Sequence, residues 1–290
     1  MWVLFTLMAA FMQAWRNAFQ SELSREVSVA GVTLARFLYA APLAGLYLWL
    51  LYQWQPVEPL ELNPRFTGFV VGAALMQILA TGLMVKLFQM KNFAVGAGLA
   101  KSEALVAAVL GMLFFGTHLS LLGWLGIALG AVAVFLLSSP GSWRQLAPAT
   151  VLLGLACGTA FALTSLWVRE ASLSIDLPFP HRAAWVLLLV LSLQTLLLLS
   201  YLSWRDSATL VALWQRPRLT GLTSLSSCLG SIGWFSAMSL QAVPYVKTLG
   251  QVEVFFTLLI ANLWLKQKVR VKDMLGLVLI ALAAIIVMWF

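Results

Sequence analysis

The sequence predicts an all-α integral membrane protein with ten transmembrane helices, arranged as two inverted repeats of five. Three observations lead to this fold class. Hydrophobic residues make up 62% of the chain and charged residues only 10%, which is far from the composition of water-soluble domains. Apolar stretches of about 20 residues, the length that crosses roughly 30 Å of hydrocarbon, recur along the whole chain. The pattern of these stretches also repeats once.

Short connections separate the apolar stretches that we predict to span the bilayer. The predicted spans are Trp2 to Phe19, Val29 to Tyr52, Thr67 to Leu87, Phe93 to Phe115, Leu119 to Ser138, Ala149 to Val168, Arg182 to Ser203, Leu219 to Leu240, Val246 to Leu265 and Lys272 to Phe290. The first span lacks a small-residue cleavage site, so we expect a retained helix and not a signal peptide. No stretch is left over for a soluble domain.

The repeat is visible when the chain is shifted by 150 residues, because residues 93–137 then lie on residues 243–287 and span falls on span. Glu103 coincides with Glu253, and these are the two glutamates that lie deep in predicted spans. Five crossings per repeat make the second repeat enter the membrane in the opposite sense, so the repeats are inverted. The predicted parts are a first repeat at 1–138, a linker at 139–148 and a second repeat at 149–290.

Three short motifs stand at equivalent or characteristic places in these spans: Leu34-Ala-Arg-Phe-Leu38, Gly123-Trp-Leu-Gly126 and Leu249-Gly-Gln-Val-Glu253. With them the chain resembles the EamA-type transporters of the drug/metabolite transporter superfamily over nearly its whole length. The resemblance implies a substrate cavity at mid-membrane between the repeats, open alternately to each side. Members often carry proline directly after the two membrane glutamates. This chain has Ala104 and Val254 there, so we expect straighter helices at the site.

Charges buried in predicted spans are the strongest indication of a site, because each costs roughly 2.5 to 3.5 kcal/mol at the bilayer centre. Glu103 and Glu253 lie on faces of mostly small residues and are candidates for binding a proton or a substrate ammonium. Lys101 lies about 200° round the helix from Glu103, so the two cannot pair on one face. We predict a pairing between repeats, Glu103 with Lys247 or Glu253 with Lys101. Gln251 occupies the position equivalent to Lys101.

Other polar and aromatic residues are weaker candidates. Gln77 lies near the middle of the third span, where it lines the cavity or bonds a neighbouring helix. Trp234 and Tyr245 are candidates for stacking on a ligand at the mouth of the cavity. Three residues lie nearer the end of the first span than its centre, so snorkelling to the interface competes with a cavity role: Gln13, Arg16 and Asn17.

The sequence has no motif of an enzyme, since it lacks a Gly-rich phosphate loop, a metal-ligand cluster and a nucleophile with its base. Cys157 and Cys228 fall inside predicted spans, where we expect packing roles. His118 and His181 are expected to be ordinary interfacial residues. The net charge of +8 needs no nucleic-acid partner, because cationic connections orient membrane proteins. We therefore expect no catalysis, no cofactor and no metal.

The distribution of lysine and arginine predicts the orientation in the membrane. Odd-numbered connections hold 13 of them against four in the even-numbered connections, so the positive-inside rule places both termini outside the cell. The odd set is Arg16, Arg25, Arg36, Lys86, Lys91, Arg144, Arg205, Arg216, Arg218, Lys266, Lys268, Arg270 and Lys272; the even set is Arg65, Arg169, Arg182 and Lys247.

The function that these features favour is secondary active transport of a small polar or amphipathic metabolite by alternating access, with protons as the coupling ion. Amino acid efflux is one form of it. Lys101, Lys247 and Gln251 are the predicted contacts for a substrate carboxylate or for charge balance. A flippase for a lipid-linked substrate and a non-transporting accessory subunit stay open as alternatives. The expected setting is a bacterial inner membrane, with the chain as a monomer or homodimer.

Overall fold

A computed structural model of the chain describes residues 1–90, 99–138, 148–265 and 271–288, and the regular elements in these residues are all α-helices. The helices are α1 (Trp2–Leu23), α2 (Val29–Phe37), α3 (Ala40–Trp54), α4 (Pro64–Phe88), α5 (Glu103–Phe115), α6 (Leu121–Ser138), α7 (Pro148–Leu173), α8 (His181–Arg205), α9 (Ser207–Trp214), α10 (Pro217–Leu240), α11 (Val243–Gly250), α12 (Glu253–Leu265) and α13 (Val271–Met288). The start of the predicted fourth span, residues 139–147 of the linker and the connection at 266–270 lie outside the described residues.

Five helical stretches of the described chain are long and apolar enough to cross a membrane: Val29–Trp54, Pro64–Phe88, Pro148–Leu173, His181–Arg205 and Val243–Ile260. Three shorter apolar helices are Glu103–Phe115, Leu121–Val134 and Val278–Met288. The predicted class of an all-α, multi-pass membrane protein is confirmed. The helices α1 and α10 are absent from both groups, and each carries a row of buried polar side chains.

One end of the molecule brings together three of the odd-numbered connections. Glu26, after α1, forms an ion pair with Arg216, which directly precedes α10. Gln89, after α4, donates a hydrogen bond of 3.0 Å from its Nε2 to the carbonyl oxygen of Ser24. Three of the five odd-numbered connections therefore lie on one side of the molecule.

The opposite end gathers the even-numbered connections and the start of α1. Asn63 donates a hydrogen bond of 2.8 Å to the carbonyl oxygen of Ser174, which directly follows α7. The rings of Phe5 and Phe179 pack edge to face here with centroids 5.7 Å apart. Because α1 starts at this end and α7 finishes at it, the first helices of the two halves run in opposite directions, as inverted repeats require.

Several helix contacts are also symmetric: each of them remains a contact when both helices are replaced by their equivalents in the other half. The contact of α1 with α10 has its counterpart in α7 with α4, and the contact of α1 with α12 has its counterpart in α7 with α5. The pairs α3 with α8 and α6 with α13 join equivalent helices. The α1–α10 contact is close, because a Cβ atom built on Gly233 would lie 2.6 Å from the carbonyl oxygen of Phe5.

The equivalent helices that carry the two membrane glutamates are both interrupted just before the glutamate. Residues 99–100 are helical, 101–102 form a turn and α5 begins at Glu103; α11 ends at Gly250 and α12 begins at Glu253. The Ser102 N–H bonds the carbonyl of Leu99 at 3.0 Å, which is the tighter bond of a 3₁₀ turn. Each glutamate thus lies in the first turn of a helix, where the helix dipole favours a negative charge.

The expectation of straighter helices at these points stays a prediction. A tightened turn interrupts the α-helical hydrogen bonds before each glutamate without proline, while Ser102 and Gln251 keep right-handed helical backbone angles. The second span is interrupted in a different way, between Phe37 and Ala40. Pro42 explains that break, since it has no N–H to bond the carbonyl of Leu38 and its ring crowds that carbonyl.

Candidate functional site

A cavity lies where the two halves meet, with about 560 Å³ of empty space when its open part is included. Side chains from α1, α2 and α4 and from the turn before α5 line it on the side of the first half. Side chains from α7, α10 and α11 line it on the side of the second half. The interrupted helices thus place their charged residues beside the cavity.

Glu253 is held by three donors at this cavity. It forms an ion pair with Lys101 of the other half, and it accepts hydrogen bonds from the side-chain amides of Gln13 and Asn17, the latter at 2.7 Å. The residue is only 2% exposed. A buried carboxylate needs such partners, because an unpaired charge in an apolar interior is strongly disfavoured.

Glu103 has a single ion-pair partner in the described part of the chain, Lys247, with 3.4 Å between Oε2 and Nζ. The lysine Nζ also lies 4.4 Å from the centroid of the Trp234 ring, a cation–π contact. The Trp234 indole donates a hydrogen bond of 2.9 Å to Gln13, which in turn donates to Glu253. A continuous polar chain therefore connects the two ion pairs.

Both pairings predicted from the sequence are present, and each joins one half of the molecule to the other. The two glutamates differ in the number of groups that bind their carboxylates. Glu253 has three donors, whereas Glu103 is 8% exposed, lines the cavity and has one lysine. The two repeats thus build equivalent positions into unequal sites.

Two arginines of the first half belong to the site. The sequence left Arg16 between the interface and the cavity, and it assigned Arg36 to the nearest connection. Arg16 and Arg36 are 4% and 3% exposed and line the cavity together. Arg36 donates a hydrogen bond of 2.5 Å to the Thr81 hydroxyl, and its guanidinium carbon lies 6.0 Å from the Phe161 ring centroid. One signal was available: Arg36 stands seven residues into α2, about 10 Å along the helix from its start.

The three polar residues of α1 all line the cavity, which settles their position in favour of the interior over the interface. The sequence left two roles open for Gln77, lining the cavity or bonding a neighbouring helix, and Gln77 has both. It lines the cavity, and its Oε1 accepts a hydrogen bond of 2.7 Å from Gln194 of α8.

Three of the predicted residues are not part of the cavity wall: Glu253, which lies behind Lys101, Gln13 and Asn17, and Gln251 and Tyr245. Gln251 is 2% exposed and its amide packs against Gly130 of α6. The Tyr245 hydroxyl lies 3.4 Å from the backbone N–H of Ser120, just before α6. Gln251 is at the repeat position equivalent to Lys101, and it also reaches the other half, but its amide packs against Gly130 of α6 and not against the carboxylate of Glu103.

His181, Cys157 and Cys228 pack against neighbouring helices. His181 is the first residue of α8 and is fully buried against neighbouring helices, with its ring 5.0 Å from that of Tyr52. The thiols of Cys157 and Cys228 donate to backbone carbonyls of neighbouring helices. Within the residues that the structure describes, no group of three metal-ligating side chains comes together.

Two opposed bundles of helices around a polar cavity define the class of membrane carriers built from internal repeats. The model of the EamA-like transporter family matches residues 1–139 and 148–289, so the chain belongs to this family, and the resemblance seen in the motifs is confirmed. A solved crystal structure, described only as that of a protein, has the same fold: its TM-score is 0.68 at 15% identity, over 98% of this chain and 97% of that chain. No curated protein matches the chain in sequence.

Proposed function

We propose that the protein is a ten-span secondary transporter, which moves a small polar or amphipathic metabolite across the membrane by alternating access. The observation that carries this proposal is the pair of ion contacts, Lys101 with Glu253 and Glu103 with Lys247. Each crosses from one half to the other beside the central cavity. A rocking motion of the halves therefore acts directly on these contacts.

The rocking motion of the halves has to separate these buried ion pairs. Separating a buried pair without replacing a partner costs about 3–5 kcal/mol, since an uncompensated charge remains. A proton on Glu103, or a substrate ammonium in place of Lys247, removes the part of that cost that comes from the carboxylate, and the Trp234 ring stays as a partner for the charge of Lys247. Proton or substrate binding is then coupled to the rearrangement of the halves.

Glu103 is the coupling group in this mechanism, because it lines the cavity and has one lysine partner. Glu253 serves as the anchor of the polar chain, since three donors hold its carboxylate. Lys101 balances the charge of Glu253, and Lys247 is the contact that a substrate or proton displaces. Amino acid efflux from a bacterial cell is the physiological form that we propose.

The test uses purified protein in proteoliposomes with an imposed pH gradient and an internal pH-sensitive dye. A panel of amino acids, nucleosides, sugars and cationic drugs identifies the transported solute. We expect Glu103→Gln to abolish solute-driven proton movement while leaving exchange of labelled for unlabelled solute. The matched control is Glu58→Gln, at an exposed glutamate between α3 and α4, which should leave both activities unchanged. Full proton-coupled transport by both Glu103→Gln and Glu253→Gln would remove the coupling role.

A further inference from the structure

The charges at the cavity do not cancel. Among the described residues that line it or pair across it, four are basic and two acidic: Arg16, Arg36, Lys101, Lys247, Glu103 and Glu253. Each carboxylate is paired with one of the lysines. The two arginines are left as an excess of positive charge in the membrane interior.

The hydrogen bonds of the two guanidiniums do not offset this excess. Arg16 donates to the Asn17 side-chain oxygen at 3.0 Å, and Arg36 donates to the Thr81 hydroxyl at 2.5 Å, and both of these acceptors are neutral. The Nε atoms of both arginines are buried and have no hydrogen-bond partner in the structure. Neither guanidinium forms an ion pair within the described part of the chain.

Such an arrangement is costly in the absence of a ligand. A buried charge needs an opposite charge, and a guanidinium presents its N–H groups in a planar fork that fits the two oxygens of a carboxylate or phosphate. An oxyanion between Arg16 and Arg36 would supply acceptors for the free Nε groups and reduce the net charge of the cavity. Solutes without a carboxylate or phosphate group do neither.

The rest of the cavity wall indicates the body of the ligand. Phe161, Trp234, Phe235 and Met238 line the same cavity and offer aromatic and apolar contact surface. A compact organic molecule with a hydrophobic body and an anionic end would therefore satisfy both parts of the wall.

We propose that the substrate of this carrier is an organic anion, whose carboxylate or phosphate binds between Arg16 and Arg36. This inference rests on the proposed transport function and specifies the substrate class at the same cavity. It assigns the two arginines to substrate binding and leaves Lys101 and Lys247 to the contacts between the halves.

The binding test uses the full-length protein purified in detergent, with four phenyl compounds as probes: 3-phenylpropanoate, phenyl phosphate, 3-phenylpropanamide and phenethylamine. Calorimetric titration gives the affinity, and thermal unfolding gives the stabilisation. We expect at least one anion to bind, and the amide and amine to bind at least tenfold more weakly. Comparison of the two anions distinguishes a carboxylate site from a phosphate site.

The variants Arg16→Gln and Arg36→Gln should each weaken binding of that anion by roughly 10- to 100-fold, the usual effect of losing a hydrogen bond from a charged group. Arg36→Lys keeps the charge without the fork and should lie between Arg36→Gln and the native protein. Arg65→Gln is the matched control, because Arg65 is exposed and pairs with Glu170 away from the cavity. Its affinity should equal that of the native protein.

Three results would overturn the inference: neither anion binds, the amide or amine binds as tightly as the anions, or the folded arginine variants keep native affinity. Exchange assays in proteoliposomes separate this failure from that of the transport proposal. Exchange of a neutral or cationic solute without arginine-dependent anion binding contradicts the substrate class alone. Arginine-dependent binding of an anion with no exchange of any solute contradicts transport and leaves the binding site in place.

Discussion

At the residue scale, the two membrane glutamates differ in what their removal would leave unpaired. Glu253 accepts from Lys101, Gln13 and Asn17, so its removal leaves a buried lysine and two amides without their common acceptor. Glu103 is attached through Lys247, which also has the Trp234 ring as a partner. Loss of Glu103 therefore leaves its lysine partly compensated.

We predict that Glu253→Gln lowers the free energy of unfolding by about 3–5 kcal/mol, as expected when one partner of a buried ion pair is removed. Glu103→Gln should cost less. The measurement is thermal unfolding of the purified variants in detergent, followed by tryptophan fluorescence. The double variant Lys101→Gln/Glu253→Gln should recover part of the loss, because no unpaired lysine remains. A double variant that is as unstable as the sum of the two single variants would show that the pair contributes no coupling.

The sequence predicted the charged pairs at this scale, left the role of Arg16 open and missed Arg36. Glu103, Glu253, Lys101 and Lys247 were identifiable because they interrupt apolar helices near mid-membrane. Arg36 stands near the start of its span, where a position along the chain does not distinguish a side chain that reaches the interface from one that points inward. Only the packing of α2 against its neighbours decides this.

At the scale of elements, α1 and α10 form a close contact between the halves. Gly233 allows it, because its place for a Cβ is filled by the backbone of Phe5 and by Ala9. This contact carries Gln13 and Trp234, whose hydrogen bond links the two ion pairs. The spacing of α1 and α10 thus controls the polar chain at the cavity.

We expect Gly233→Ala to force these helices apart and to lower stability by about 1–3 kcal/mol, the usual cost of overpacking. Gly221→Ala in the same helix is the control, since a Cβ there would have no neighbour within 4 Å. Thermal unfolding of both variants, together with transport by each, provides the comparison. Equal unfolding midpoints for the two variants would contradict the close-packing argument.

The existence of the helices follows from hydropathy, but their interruptions do not. Nothing in the residues of the turn at 101–102 disfavours a helix strongly. The structure shows α7 packed tightly there, since a Cβ on Gly158 would lie 2.8 Å from the Ala100 carbonyl oxygen and from the Ser102 hydroxyl. The break therefore coincides with a contact between elements distant in sequence, which a single-sequence pattern does not contain.

At the scale of the whole molecule, the structure changes the charge count that predicts orientation. Arg16, Arg36 and Lys247 are buried at the cavity and do not anchor connections. Without them, 11 basic residues remain in the odd-numbered connections against three in the even-numbered ones. Among the 11, Lys91, Arg144, Lys266, Lys268 and Arg270 lie outside the described residues. The charge asymmetry keeps its sign.

We therefore predict that both termini face the exterior, with the end formed by Glu26, Arg216 and Gln89 in the cytoplasm. A reporter that is active only in an oxidising exterior compartment should function when fused after Phe290, and a cytoplasmic reporter at the same place should be silent. The control fusions are insertions after Glu58 and after Asp206, which should report exterior and cytoplasm respectively. Activity of the cytoplasmic reporter at the C-terminus would reverse the orientation.

The unequal attachment of the two glutamates has a consequence for the resting state. If the halves were identical, inversion would make the inward-open and outward-open forms of an empty carrier mirror each other in energy, and the two would be equally populated. Lys101 in the first half and Gln251 at the equivalent position of the second half break that degeneracy, because only one of these two positions carries a charge. A difference of about 1.4 kcal/mol already gives a tenfold preference. The empty protein should therefore rest with one side open, and the side it favours sets which face of the membrane presents the binding site to solutes first.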